Sequence, residues 1–431
     1  MPLALRTYRA VMSLARPALW LLLRRRAERG KEDRTRQAER YGIAGIARPE
    51  GDLLWLHAAS VGETNAVLPL IERLLAARPK LTVLLTTGTV TSAGVAAKRL
   101  PARALHQYLP LDSAPYVRRF LDHWRPTVAV LTEQEIWPNL ILEAHARGIR
   151  LALINARMSG KSLARWQGQP NVARALFGRL DAVLAQNEQL ARALASLGAI
   201  NSAAVGNLKL DAPLLPVDEA AAASLNAALA GRPRFVAAST HAGEETIIAE
   251  AHRLMRPTLP ELCTIIAPRH PHRGAQIAAE LAAAGHAVAV RSRDELPRAD
   301  VDIYIADTIG ELGTLYSVAR IAFIGGSLVD RGGQNPIEAA RLGASVLVGP
   351  YRSSFLDIYE PLLAAGGAIE VRSADDLAHH ILHWIQEPSS RDAVAATAAA
   401  TLERLSGGLE RTTQAIIAML SRPRAAGTVG T

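Results

Sequence analysis

A chain of 431 residues with 49% hydrophobic content is too long for one ordinary core, so two domains of about 200 residues each are expected. Its single cysteine, Cys263, excludes a disulfide framework and any multi-cysteine metal site, and favours a reducing compartment. A formal charge of +9 and a pI near 10.0 point to anionic partners, while aromatics at 4%, nowhere interleaved with basic runs, argue against a nucleic-acid stacking surface.

The positive excess gathers at the amino end. Arg6, Arg9 and Arg16 precede the run Ala18-Leu19-Trp20-Leu21-Leu22-Leu23, and Arg24-Arg25-Arg26, Arg29, Lys31, Arg34 and Arg36 follow it. Arg16 and Pro17 interrupt the apolar stretch, which falls short of the roughly 20 residues needed to cross a bilayer. No small-residue cleavage site follows, which argues against a signal peptide. Residues 1–35 therefore read as a membrane-associating segment, with an amphipathic helix packed on the protein as the plainer alternative.

From residue 53 onward, short apolar runs at 53–57, 81–86, 128–131, 151–155 and 182–185 alternate with longer helical patterns, which predicts a parallel sheet. Pro213 and Pro216 mark 212–217 as a linker between a first domain at 36–211 and a second at 218–431. The rhythm restarts there, with runs at 234–238, 263–267, 287–290, 303–306, 321–324 and 345–348. The last helical pattern, about residues 391–420, closes the second domain, although it could pack across either one, and the tail after Pro423 is expected to be loose.

In open α/β sheets, ligands bind beyond the carboxyl ends of the strands, where helix N-termini offer free N–H groups to anions. The turn Ser60-Val61-Gly62-Glu63 places Glu63 at such a mouth, but Ser60 and Glu63 also have the spacing of a capping box, so base and cap both stand. Thr132-Glu133-Gln134-Glu135 ends another strand and sets Glu133 or Glu135 near the Glu63 turn. Ala267-Pro268-Arg269-His270-Pro271-His272-Arg273 is a stiff basic loop suited to a phosphate, whereas the spacing of His270 and His272 is poor for a metal. Thr308-Ile309-Gly310-Glu311 and Asn335-Pro336-Ile337-Glu338 repeat helix-start chemistry. The glycines of Gly325-Gly326-Ser327 and Gly332-Gly333 would let backbone N–H groups approach a phosphate, without the spacing of a P-loop or a dinucleotide fingerprint. Asp300-Val301-Asp302 has a metal-motif spacing but enters a strand remote from these turns and is expected to be solvated. The absence of a Gly-x-Ser-x-Gly elbow argues against a hydrolase.

Taken in order, residues 57–63, 133–139, 155–159, 239–245, 267–273, 309–312 and 325–338 resemble the 3-deoxy-D-manno-octulosonic acid (Kdo) transferases of lipid A biosynthesis. The resemblance spans nearly the whole chain. It implies an α/β GT-B fold, with two Rossmann-like domains whose parallel sheets face an interdomain cleft. It also implies inverting transfer of Kdo from CMP-Kdo to the 6'-hydroxyl of a lipid A precursor at the cytoplasmic face of the inner membrane. Glu63 matches the family's general base, and Glu133 and Lys209 match its transition-state stabilisers, with Glu135 open as an alternative to Glu133. Pro268, Arg269, Ile309, Gly310, Glu311, Asn335, Pro336, Ile337 and Glu338 match the CMP contacts. No cofactor and no metal are implied. The implied partners are CMP-Kdo, the lipid A precursor and anionic inner-membrane lipids, and not nucleic acid. Another GT-B transferase, a nucleotide-sugar 2-epimerase and a non-catalytic sensor remain as alternatives. The basic N-terminus argues against an epimerase, and Glu63, Glu133 and Lys209 together argue against a sensor.

Overall fold

The computed structural model describes residues 1–422 as two compact units, Met1–Ala212 together with the chain from Ser406, and Pro213–Leu405. The tail after Pro423, expected to be loose, lies outside the described residues.

The first unit carries β1 (Leu53–Ala58), β2 (Thr82–Thr87), β3 (Ala104–Tyr108), β4 (Val128–Thr132), β5 (Arg150–Ala156), β6 (Ala182–Ala185) and β7 (Ser202–Ala204). They form one sheet in the order β3-β2-β1-β4-β5-β6-β7, parallel throughout. Strands covered by helices on both faces bury every residue, which is why β1 and β4 are apolar without alternation. Leu53 and Trp55 enter the core on one face, and Leu54 and Leu56 enter the core on the other.

The second unit repeats the design with β8 (Arg234–Thr240), β9 (Cys263–Pro268), β10 (Val288–Val290), β11 (Ile303–Ile305), β12 (Ile321–Ile324), β13 (Ser345–Val348) and β14 (Ala368–Glu370). Their order is β10-β11-β9-β8-β12-β13-β14, again all parallel. In each sheet the strand order reverses beside the first strand, between β1 and β4 and between β8 and β12. These reversals are the switch points where ligands of open sheets bind. The sequence pattern misses β3, β7 and β14, all of them edge strands. These three lack one lateral neighbour and are only partly covered, so no continuous apolar run announces them, whereas the fourth edge strand, β10, is marked by its own short apolar run.

Two expectations change. The pattern at 391–420 is not one helix closing the second domain but two, Pro388–Leu405 and Gly408–Ser421, broken at Gly407 with φ +86°. The second of them belongs to the first unit: Leu409, Ile416, Met419 and Leu420 pack into the core with Leu54 and Leu56. Asp211 accepts the N–H groups of Gly407 at 2.8 Å and Leu409 at 2.7 Å, capping this helix where its dipole favours a carboxylate. The chain therefore crosses back after completing the second unit.

The amino end forms two helices, Leu3–Leu14 and Arg16–Glu28, and the first docks on the protein. Leu5 is buried, Tyr8 Oη donates to Asp112 Oδ2 at 2.8 Å, and Arg9 donates to Glu143 Oε1 at 2.6 Å. Part of the basic run is consumed internally, since Arg26 and Arg40 both bind the buried Glu32. Leu3, Val11, Leu14, Trp20, Leu21 and Leu22 nonetheless stay exposed. Among the described residues, no helix is long and apolar enough to cross a membrane.

Candidate functional site

The carboxyl ends of β1 and β4 flank the switch point of the first unit. Beyond β1, Ser60 caps the helix Val61–Ala77 by accepting the Glu63 N–H. Glu63 reaches back, as the capping spacing suggests, but to the Ala59 N–H at 3.0 Å and the Ser60 hydroxyl at 2.8 Å. The Thr132 hydroxyl, at the end of β4, donates to Glu63 Oε2 at 2.6 Å. Two carboxylate oxygens offer about four lone-pair positions. Three are taken here, and the one left over lies on Oε1.

Glu133 follows Thr132 in a left-handed conformation, φ +50°, which an L side chain adopts at a penalty of about 1–2 kcal/mol. Such strain is concentrated at functional sites. The turn aims the Glu133 carboxylate at Lys209, whose Nζ donates to Oε1 at 2.9 Å, with Arg157 4.0 Å from Oε2. Asn155, at the end of β5, is left-handed too, φ +49°. Its Oδ1 accepts the Leu208 N–H at 3.1 Å, while Asn207 Oδ1 accepts the Lys209 N–H at 3.0 Å, so the short helix Leu208–Asp211 that carries Lys209 is held at both residues. Glu135 turns elsewhere: its Oε2 accepts the Trp137 indole N–H at 2.6 Å and stands 3.4 Å from the buried His57 Nε2. Burial would raise the Glu135 carboxyl, but the His57 and Trp137 contacts outweigh it and hold it below its ordinary value.

In the second unit, the turns after β8 and β12 are tied together by one carboxylate. Glu244, fully buried at the start of the helix Glu244–Met255, accepts the N–H groups of Gly326 at 2.7 Å, Ser327 at 3.0 Å, Leu328 at 2.9 Å and His241 at 2.9 Å. The backbone N–H groups of this turn, expected to face a phosphate, are thus occupied from within: those of Gly326, Ser327 and Leu328 by the Glu244 carboxylate and that of Gly325 by the Ala238 carbonyl at 2.8 Å. What the turn offers instead is shape, since a Cβ on Gly325 would fall 2.5 Å from Ser239 O.

Basic side chains gather at the ends of β8 and β9. Arg269 is exposed after the buried Pro268, the His241 and His270 rings are 5.9 Å apart, and His270 stacks on His272 at 5.7 Å. Burial, then the charges of His270, Arg331 and Arg269, push the His241 imidazole down, so it is neutral at neutral pH. Arg273 is spent on Glu245, at 2.8 Å and 3.2 Å.

Asn335 Oδ1 accepts the Ile337 N–H at 3.0 Å, but the helix begins only at Ile337 with Pro336 as its N-cap, so Asn335 stands one residue before the capping position expected of it. Burial raises the Glu338 carboxyl, opposed by the Asn335 hydrogen bond and by Arg269, so Asn335, Glu338 and Arg269 form one electrostatic group. At Glu311 the capping expectation fails. The helix begins only at Leu312, and Glu311 holds Arg291 at 2.8 Å and accepts the Thr308 hydroxyl instead. That Arg291 contact, followed by the opposing effect of burial and the Thr308 bond, keeps the Glu311 carboxyl below its ordinary value. Ile309 is 88% exposed beside Gly310, an apolar surface open to a flat ring.

Spacing did not reveal Thr132, Asn155, Glu244 or Arg291 as parts of the site. For Glu244 a local signal exists, an acidic pair directly after Gly243 at a strand end.

Two all-parallel sheets with paired switch points are the GT-B architecture of nucleotide-sugar enzymes. A solved UDP-GlcNAc 2-epimerase from Neisseria meningitidis shares that fold at a TM-score of 0.58, covering 86% of this chain and 99% of its own, with only 14% identity. The sequence comparisons decide within the class. A family model described as 3-Deoxy-D-manno-octulosonic-acid transferase (kdotransferase) matches residues 35–212. The 3-deoxy-D-manno-octulosonic acid transferase of Bordetella pertussis is 37% identical over 415 residues, 93% of this chain and 96% of that one. A probable mitochondrial 3-deoxy-D-manno-octulosonic acid transferase of Arabidopsis thaliana is 38% identical over 365 residues, 81% and 80% of the two chains. The chain belongs to the Kdo transferase family and is a glycosyltransferase.

Proposed function

We propose that this enzyme transfers Kdo from CMP-Kdo to the 6'-hydroxyl of a lipid A precursor, with inversion, in lipopolysaccharide biosynthesis at the cytoplasmic face of the inner membrane. The observation that carries the proposal is the pair Glu133–Lys209 on a strained turn beside Glu63, at the switch point of the first sheet. Glu63 is the base: the acceptor hydroxyl donates to the open position on Oε1, and its proton passes to the carboxylate as the hydroxyl oxygen attacks the anomeric carbon. The bond from that carbon to the CMP phosphate breaks in the same displacement. Lys209, oriented by Glu133, stabilises negative charge on the sugar carboxylate or the departing phosphate.

In the second unit, Pro268, Arg269, Ile309, Gly310, Glu311, Asn335, Pro336, Ile337 and Glu338 hold CMP. Arg269 provides the phosphate with positive charge and the neighbouring histidines offer ring N–H donors, Ile309 offers an apolar face to the base, and Glu311 and Glu338 accept ribose or base hydrogens. No metal is used, because guanidinium and ammonium groups can neutralise a monophosphodiester donor. The exposed Trp20, Leu21 and Leu22 with Arg24 and Arg25 suit a membrane interface rich in anionic lipid.

The test is CMP release from CMP-Kdo by wild type and Glu63→Gln, with and without a tetraacylated lipid A precursor, while product mass is followed. Acceptor-dependent release with added Kdo mass, lost at least ~100-fold in the variant, supports the proposal. Binding of CMP without turnover by wild type would refute it.

A further inference from the structure

At the amino ends of the second sheet, away from the turns described above, three metal-ligand side chains converge. His252 lies near the end of the helix Glu244–Met255, His286 precedes β10, and Asp302 enters β11; one ligand atom from each lies within 4.8 Å of the others. His252 is fully buried. Its Nδ1 lies 2.9 Å from the Thr264 hydroxyl, and its buried Nε2 has no hydrogen-bond partner. With Nδ1–H donated to that hydroxyl, Nε2 presents a bare lone pair, the arrangement of a metal-ligating histidine whose second nitrogen is anchored by an outer partner. Left empty, such an atom costs about 1–3 kcal/mol of lost solvation.

Asp302, expected to be solvated, is instead buried. Its carboxylate is oriented by the Ala287 N–H at 3.0 Å and Arg256 at 3.2 Å, both on Oδ2, which leaves Oδ1 for an ion. His286 is half-buried, with its ring 5.5 Å from that of His252, and opens the cluster to solvent.

We propose that His252, His286 and Asp302 form a structural site for one divalent transition-metal ion, zinc by the chemistry of its donors. Two imidazoles and a carboxylate, with water as the fourth ligand, suit tetrahedral zinc and are too rich in nitrogen for magnesium or calcium. Donors around such an ion stand about 3.4 Å apart, given bonds of about 2.0–2.2 Å. The side chains therefore close in by small rotations, and the half-exposed Arg256 yields part of its hold on Asp302. The ion ties the carboxyl end of the helix Glu244–Met255 to the starts of β10 and β11. The amino end of the same helix carries Glu244. It takes no part in glycosyl transfer, and the site is independent of the proposed substrates.

The test is calorimetric titration of the EDTA-stripped full-length chain with zinc, for wild type, His286→Ala and His270→Ala/His272→Ala. His286 is only half-buried, so its loss spares the fold, which circular dichroism checks. The expected result is one equivalent bound by wild type, at least ~10-fold weaker binding by His286→Ala, and unchanged binding by the double variant. Cobalt should give wild type, and not His286→Ala, the visible band of a tetrahedral ion. No stoichiometric binding by wild type, or equal binding by His286→Ala, would overturn the site; loss of binding in the double variant instead would place the ion at His270 and His272 and overturn it as well.

Discussion

Lys209 Nζ donates to Glu133 Oε1 at 2.9 Å across 76 positions of sequence, and both side chains are mostly buried, 19% and 12% exposed. A cation so placed is fixed in direction by its partner, and its ammonium group carries three donors in all. Glu133→Gln frees Lys209 to swing, and Lys209→Ala removes the charge. Each should lower kcat by ~100-fold or more, the scale of losing one preorganised electrostatic group. Glu133→Gly separates strain from chemistry: relief of the left-handed backbone should leave stability equal or about 1 kcal/mol higher while activity is lost. Urea melts beside initial rates check both halves.

Glu63 is cap and proposed base at once, and the two roles have different sizes. Glu63→Ala should destabilise the protein by about 0.5–2 kcal/mol, the worth of a helix cap, and Glu63→Gln by less. Both should reduce CMP release by at least ~100-fold. A Glu63→Gln enzyme with near wild-type turnover would leave only the cap.

Glu244 satisfies four backbone donors in a fully buried setting. Glu244→Ala strands them, with an expected destabilisation of at least ~3 kcal/mol. Glu244→Gln can accept through one oxygen only and should fall between. Calorimetric titration of the folded Gln variant should show weakened CMP binding, because the turn after β12 loses its anchor. A variant with unchanged denaturation midpoint and CMP affinity would mean that the turn holds itself.

Stability should fall with acid through His106. Its Nδ1 lies 3.0 Å from Arg36 and its Nε2 2.9 Å from the Thr87 hydroxyl, and burial, then the charges of Arg36 and Arg40, bring it down to about 3. The unfolded imidazole titrates near 6.5, so the unfolded chain binds the extra proton between those values. Stability from this residue is complete above about pH 6.5 and is lost as pH falls toward about 3, amounting to about 2 kcal/mol at pH 5. Denaturant midpoints at pH 7.5 and 5 should show that loss in wild type and a smaller one in His106→Gln.

Membrane attachment should depend on the side chains that the docked N-terminal helices leave outside. Trp20→Glu with Leu22→Glu should lower binding to anionic vesicles at least ~10-fold, since each large apolar group is worth about 1.5–3 kcal/mol when fully buried. Arg24→Gln with Arg25→Gln should lower it in low salt and matter less in high salt. Vesicle flotation across a salt series distinguishes the two contributions, and flotation unchanged in both variants would argue against an interfacial helix.

The sequence by itself determined the doubling of an α/β rhythm, the break near Pro213, and the turns on which chemistry would sit. These are local properties: a strand buried on both faces must be apolar along its length, and a helix start shows its cap within four residues. The resemblance to Kdo transferases was legible for the same reason, being carried by contiguous motifs. Tertiary structure alone decided which of Glu133 and Glu135 meets Lys209, that Glu244 fills the backbone cradle of the glycine turn, and that the helix Gly408–Ser421 returns to the first unit. It also gave Asp302 its buried place beside His252 and His286. Each of these depends on which strand ends lie side by side, and adjacency in a parallel sheet is set by crossovers between distant segments, whose outcome no local spacing records.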